Sequence, residues 1–415
     1  MLAHSPTLPL TVDYIGKGGI TAEDEEGLLL ALQQRHRVRH LRVALPVQNL
    51  RKLVMAIDEE FPILEYLIVG SSTDDGSALM LPGTLQAPNL LHLTLSGFAC
   101  PIRPRLHPTA EGLVTLCIAI RPFAYFQPNV LLQWISFMPQ LENLAILFTF
   151  PVPNRDVERQ LTRTPITTRI TLPNLRSFLF HGVSAYLEAV VFPLTAPRLE
   201  NLQIQFFEQL TFSIPRLPQF MNTTENLRFD KAVIEFKFYE LDIQFSRKAN
   251  TYAFGVKVNC SHFDWQVSAL AQISNALGQV FSVVEDLTLG CNICLESSEE
   301  HYDVDRIKWR NFLRSFSNVK TLRVEQALVK ELSRCLRLED GELPLELFPE
   351  LQELTYFLSR YDGVDDAFTS VVDARQSAGR PITLVRHYLS ELAISSGYLF
   401  PEHSIGSALG FRVNE

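Results

Sequence analysis

Apolar positions along this chain recur in one phrase: an apolar leader, two residues, a second apolar residue, one residue, and a third. It reads Val38–Leu41–Val43, Leu64–Leu67–Val69, Leu90–Leu93–Leu95, Leu113–Leu116–Ile118 and Leu141–Leu144–Ile146. It continues as Leu175–Phe178–Phe180, Leu199–Leu202–Ile204 and a weaker Thr224–Leu227–Phe229. After a gap it returns as Val284–Leu287–Leu289, Val319–Leu322–Val324 and Leu351–Leu354–Tyr356. Leader-to-leader spacings are 26, 26, 23, 28, 34, 24 and 25 residues, then 35 and 32 after the gap. These straddle the period of leucine-rich repeats, roughly 20–29 residues, with longer units where helices lengthen. Two phrases are nearly identical, "PQLENLAILF" at 139–148 and "PRLENLQIQF" at 197–206.

Alternation inside each phrase predicts a short strand with the leader, second and third apolar residues in the core. A proline often stands two residues before the leader (Pro62, Pro88, Pro139, Pro173, Pro197, Pro349), where its fixed φ and missing N–H suit a chain entering a strand. Helical periodicity fills the intervals: Leu50, Leu53, Val54 and Ile57; Leu131, Trp134, Ile135 and Met138; Trp309, Phe312, Leu313 and Phe316; Val329, Leu332 and Leu336. Thr21 and Asp24 ahead of "GLLLALQQR" resemble a capping box for a helix near 22–36. One such unit cannot bury its apolar face alone, so neighbours must stack in parallel register.

The expected fold is therefore an α/β leucine-rich-repeat solenoid, an arc with parallel strands on the concave face and helices or irregular returns on the convex face. Residues 1–21 read as an N-terminal cap, 22–387 as the repeat domain, and 388–415 as a poorly ordered tail. Within 230–262 the pattern shifts to period two (Ile234, Phe236 and Phe238; Tyr252, Phe254, Val256 and Val258), with "SRKANT" as a turn, which predicts a hairpin-like insertion or degenerate repeats.

Composition narrows the function class. An apolar content of 47% with 20% charged residues describes an ordered chain, and a net charge of −9 disfavours nucleic acid, which needs clustered Lys and Arg. No apolar run reaches membrane-spanning length, and the N-terminal text lacks the basic and apolar regions of a secretion signal. Six scattered cysteines make no disulfide framework, so reduced thiols in the cytoplasm or nucleus are expected.

Candidate chemistry is sparse. Cys291 and Cys294 have zinc-ligand spacing but lack a second ligand pair in a recognisable arrangement, His262 and His301 being the nearest candidates. "GKGG" at 16–19 lacks the spacing of a phosphate-binding loop. His262, Asp264 and the acidic run 299–305 supply no nucleophile, and acidic residues before an apolar helix complement its dipole. A hydrolase or metal-dependent enzyme using His262 and Asp264, or Cys291 and Cys294, is the alternative; the leading expectation is a non-enzymatic binding protein with no cofactor.

The outward strand positions are the expected protein-binding surface: Tyr66, His92, Thr94, Asn143, Ser177, His181, Asn201, Gln203, Gln205, Thr321, Arg323, Glu325 and Glu353. Polar, uncharged residues dominate its middle, and charges enter toward the C-terminal end.

The phrases "LPNLRSFLFHGVSAYLEAV", "PRLENLQIQFFEQLTFSIP", "LRSFSNVKTLRV" and "RCLRLEDGELPLELFPELQELTY" resemble a family of fungal F-box-like proteins with degenerate leucine-rich repeats, over residues 10–387. That resemblance implies the target-selecting part of a cullin–RING ubiquitin-ligase receptor, acting in protein ubiquitination. No Leu-Pro-x-Glu-Ile-Leu stretch followed by a Trp-containing helix is found, so the cullin adaptor is expected as a partner only if an F-box precedes this chain. The expected state is a monomer, bound to a target protein whose identity the sequence does not reveal.

Overall fold

The computed structural model describes residues 8–16, 20–57, 59–71, 79–80, 85–99, 111–121, 125–150, 169–209, 211–224, 226–247, 252–292, 306–338, 345–358 and 366–388. Fifteen strands form one open, mostly parallel sheet. In chain order they are β1 (Leu10–Ile15), β2 (Val38–Leu45), β3 (Tyr66–Ser71), β4 (His92–Ser96), β5 (Thr115–Ile120), β6 (Asn143–Phe148), β7 (Ser177–Gly182) and β8 (Asn201–Phe206). Then come β9 (Lys231–Phe236), β10 (Glu240–Ser246), β11 (Tyr252–Asn259), β12 (Asp286–Cys291), β13 (Thr321–Val324), β14 (Glu353–Leu358) and β15 (Thr383–Tyr388).

From β1 to β8 each strand is added beside its predecessor, and the same holds from β12 to β15. The neighbours are parallel and pair phrase to phrase: Leu116, Leu144, Phe178 and Leu202 stand side by side, as do Ile118, Ile146, Phe180 and Ile204. All eight are at most 4% exposed and belong to one continuous core. The alternate residues on the same strands stay mostly half-exposed, so the sheet buries one face and leaves the other open.

Helices cover the buried face. They are α1 (Ala22–Gln33), α2 (Val47–Ala56), α3 (Pro128–Ile135), α4 (Ser184–Val191), α5 (Leu217–Asn222), α6 (Phe263–Ala276), α7 (Gly278–Phe281), α8 (Arg306–Arg314), α9 (Gln326–Leu336) and α10 (Thr369–Ser377). The Thr21 hydroxyl accepts the Asp24 N–H at 3.1 Å and starts α1 as the sequence predicts, although the α-helix stops at Gln33 and a 3-10 turn takes over at Arg35. The apolar stripes of α2, α3, α8 and α9 fill the core with Leu50, Leu131, Trp309 and Leu332.

The insertion is more than a hairpin. β9 pairs antiparallel with β10, and β10 pairs antiparallel with β11. The three lie in the spatial order β8–β11–β10–β9–β12, so β11 continues the parallel array from β8 and β9 hands it on to β12. The phrase Thr224–Leu227–Phe229 forms no strand; Leu227 and Phe229 are buried in the turn leading to β9, whose own alternating Ala232, Ile234 and Phe236 take the sheet position. The residues Gly18, Gly19, Cys294, His301 and the run 299–305 lie outside the described residues, as does the tail beyond Tyr388.

Gln266 of α6 locks the insertion in place. It is fully buried, and its Nε2 donates to the carbonyls of Lys237 at 2.6 Å and Cys260 at 2.8 Å, clasping the β9–β10 turn to the end of β11. Gln266→Ala leaves both carbonyls without this donor and is expected to destabilise the region by about 2–3 kcal/mol. Hydrogen exchange checks this: amides of β9–β11 should lose protection while those of β3–β6 keep theirs.

Candidate functional site

Because neighbouring strands keep a common register, outward side chains align in rows across the open face. One row runs His40, Tyr66, His92, Thr115, Asn143, Ser177 and Asn201. The next runs Thr94, Cys117, Ala145, Leu179, Gln203, Gly255, Gln244, Val233, Thr288 and Arg323. A third carries Leu147, His181, Gln205, Lys257, Asp242 and Glu235. Thr321 pairs with Glu353 beyond the insertion. All the expected binding residues on strands fall in these rows.

The chemistry of the face changes along the sheet. At β2–β4 the rings of His40, Tyr66 and His92 form a ladder, with His40 edge-on to Tyr66 at 4.6 Å and Tyr66 stacked on His92 at 4.1 Å. Burial holds His92 below its ordinary range; the Glu65 carboxylate opposes this and the neighbouring His40 adds to it.

Beside the polar Thr115, Asn143 and Ser177, the centre at β5–β7 carries apolar side chains: Cys117 and Ala145 are buried and Leu147 and Leu179 half-buried. Burial pushes the Cys117 thiol up to about 12, which keeps it protonated and unreactive. His181 packs its ring 4.4 Å from Phe207, and its Nε2 has no hydrogen-bond partner among the described residues. Burial presses its pKa down to about 4.

On β8 and β11 the face consists of carboxamides that bond one another. Gln203 Nε2 donates to Asn201 Oδ1 at 3.0 Å, and Gln205 Nε2 donates to Asn259 Oδ1 at 3.0 Å. Gln203 reaches over β11, where a Cβ on Gly255 would meet its carboxamide and the glutamine would have to move aside. Asn143 Nδ2 donates more weakly to Thr115 Oγ1 at 3.4 Å.

The antiparallel strands add a charge network the sequence reading missed. Asp242, only 2% exposed, takes the ammonium of Lys237 at 2.9 Å and of Lys257 at 3.4 Å, and accepts Gln244 Nε2 at 3.0 Å. Lys237 also reaches Glu235 at 3.1 Å and Glu240 at 3.4 Å, and Lys257 reaches Glu240 at 3.5 Å. Burial works against the Lys237 charge, but the Asp242 and Glu235 carboxylates more than offset it and hold the group above its ordinary range. The period-two spacing of Glu240, Asp242 and Gln244 was the available signal; their meeting with Lys257 depended on strand order.

Among the C-terminal residues, Arg323 is exposed and Glu353 accepts the Thr355 hydroxyl at 3.0 Å. Glu325 folds along the face: its carboxylate accepts the Cys291 N–H at 3.1 Å and lies over Gly290, the position that continues the third row from Glu235. Burial raises its pKa, while that N–H opposes the rise. Glu325 thus ties the start of α9 to the end of β12.

The alternative chemistry is placed as follows. His262 precedes α6, with its ring edge-on to Trp265 at 4.9 Å, and Asp264 lies in the first turn of that helix. Cys291 ends β12 and is buried. Among the described residues, no group of three or more His, Cys, Asp or Glu is placed to hold a metal ion, and no helix is long and apolar enough to cross a membrane. Comparison with protein families finds no family that matches the chain, and no curated protein matches it either.

His181 sets a pH dependence. Its folded pKa of about 4 lies below the unfolded value of 6.5, so between these the unfolded chain binds more protons. Stability should be complete above about pH 6.5 and fall as pH drops through that window, by on the order of 3 kcal/mol if His181 acts alone. Urea unfolding at pH 7 and pH 4.5 checks this: the pH dependence should shrink in His181→Phe.

Proposed function

We propose that this chain is a leucine-rich-repeat solenoid that binds a target protein on the open face of its sheet. The observation that carries this reading is a long, mostly parallel sheet with one face left uncovered by the described residues. Parallel sheets ordinarily bury both faces. When each strand joins the same edge and every crossover keeps the right-handed sense, the returns fall on a single side. Stacked units of this kind offer their strand face to partners, as solenoids do.

The face suits a protein surface. It offers the Tyr66–His92 stack, the half-buried Leu147 and Leu179, and the carboxamides of Asn201, Gln203 and Gln205 within one set of rows. Aromatic anchors amid neutral polar groups are a common composition of binding interfaces. The resemblance to F-box-like receptors makes the target a candidate for ubiquitination, with the cullin adaptor a partner only if an F-box precedes this chain. Catalysis has no part in this reading.

Capture of partners by the purified chain, with quantitative mass spectrometry, tests it. Thr94→Arg and Asn201→Arg place bulky charge on the face and should reduce recovery of the principal partner at least tenfold. Met55→Arg, on the exposed side of α2, should leave recovery unchanged. Recovery unaffected by the face variants would overturn the reading.

A further inference from the structure

Large apolar side chains exposed one at a time need no explanation, but three aromatic ones stand on two joined elements where the repeat is interrupted. The β9–β10 turn carries Phe238 at 55% exposure and Tyr239 at 79%, and the first turn of α6 carries Trp265 at 47%. The Gln266 clasp holds these elements together, and Cys260 N donates to the Tyr239 carbonyl at 2.9 Å. The exposed His262 ring packs against Trp265 and extends the patch.

The charges around this patch are unequal. Glu235, Glu240 and Asp242 belong to the network beneath the turn, Asp264 lies beside Trp265, and Glu208 acts on the Cys260 thiol. Against these carboxylates stand Lys237 and Lys257, whose ammonium groups are already engaged, with three carboxylates and with two. Among these groups carboxylates outnumber ammonium groups by five to two. Aromatic faces beside carboxylates attract cations, and the chain pairs the same groups internally where the Arg216 guanidinium lies 3.6 Å over the Phe192 ring.

We propose that the β9–β10 turn and the start of α6 form a docking site for a basic segment of the target protein, with Lys or Arg side chains placed over Tyr239 and Trp265. This rests on the reading of the neighbouring sheet face as a target-binding surface. The antiparallel insertion then has a function: it carries Phe238 and Tyr239 past the ends of β9 and β10.

Trp265 reports on the site directly, because the other two tryptophans, Trp134 and Trp309, are buried. Two synthetic peptides of equal length, one rich in Arg and Lys and one in Asp and Glu, would be titrated into the full chain at low and high salt. The basic peptide should change tryptophan emission saturably, bind at least tenfold more tightly than the acidic one, and weaken with salt. Tyr239→Ser and Glu208→Lys, both at exposed positions, should each weaken it at least fivefold with unchanged thermal unfolding. No saturation by the basic peptide at millimolar concentration, an equal response to both peptides, or indifference to these variants would overturn the proposal. Self-association abolished by Tyr239→Ser would also overturn it, by assigning the patch to a second copy. If partner capture is lost in Thr94→Arg but unaffected by Tyr239→Ser and Glu208→Lys, this inference fails while the face reading stands. Peptide binding that follows the prediction beside capture indifferent to Thr94→Arg gives the reverse.

Discussion

A backbone ladder at the strand entrances couples each unit to the next, and the rest of the structure follows from it. Glu142 and Asn143 both donate to the Val114 carbonyl, Arg176 and Ser177 to that of Glu142, and Glu200 and Asn201 to that of Arg176. The same pairing recurs where Lys320 and Thr321 donate to Glu285, and Gln352 and Glu353 to Lys320. Each carbonyl takes two donors just before the pleated segment starts, which leaves no freedom to slip by one residue. A slip would turn every leucine outward. Register fixed here aligns the leader residues into one core on one side and the rows of polar groups on the other.

The insertion is the one place where the ladder is handed over rather than continued. Asp230 supplies the carbonyl for Glu285 and Asp286, so β9 takes the role of the preceding repeat for β12. Meanwhile β11 pairs in parallel with β8, and the antiparallel β10 fills the space between. A parallel array that admits one reversed strand keeps its backbone groups paired but changes which residues face outward. The uncharged face of β5–β8 becomes charged within two strands, and the buried Asp242 is tolerated because two ammonium groups and an amide surround it.

Local periodicity was sufficient for the parts of the fold that repeat. The leaders, the Thr21 cap and the outward residues could be read because each depends on residues a few positions apart. Strand order within 230–262 could not, since period two fixes faces but says nothing about which neighbours a strand chooses. The locks were equally hidden. Gln266 reaches across 29 residues to Lys237, and the buried Glu188 accepts the N–H groups of Arg216 and Leu217 at 2.9 and 3.0 Å to hold the start of α5. The nearly buried Arg375 reaches the carbonyls of Leu347, Pro349 and Leu351 ahead of β14. A polar residue in an apolar stretch reads as a blemish in sequence; only tertiary structure supplies the carbonyl or N–H it satisfies.

The same satisfaction governs what the open face can offer. Its carboxamides bond one another, its buried thiol is held protonated and its central histidine is held neutral, so β4–β8 presents shape and neutral polarity with little charge. Such a surface discriminates by fit, since an ill-matched partner would bury these polar groups unpaired. Charge enters at the insertion and beyond it, where Lys237, Lys257, Asp242 and Arg323 lie, and at the first two strands, where Asp13 pairs with Arg42. On the proposed binding reading, the charged ends would orient an approaching chain and the neutral region between them would test its shape. The repeated Leu-Glu-Asn phrase lies in that neutral region, with its leucines in the core and Asn143 and Asn201 in one row on the outside.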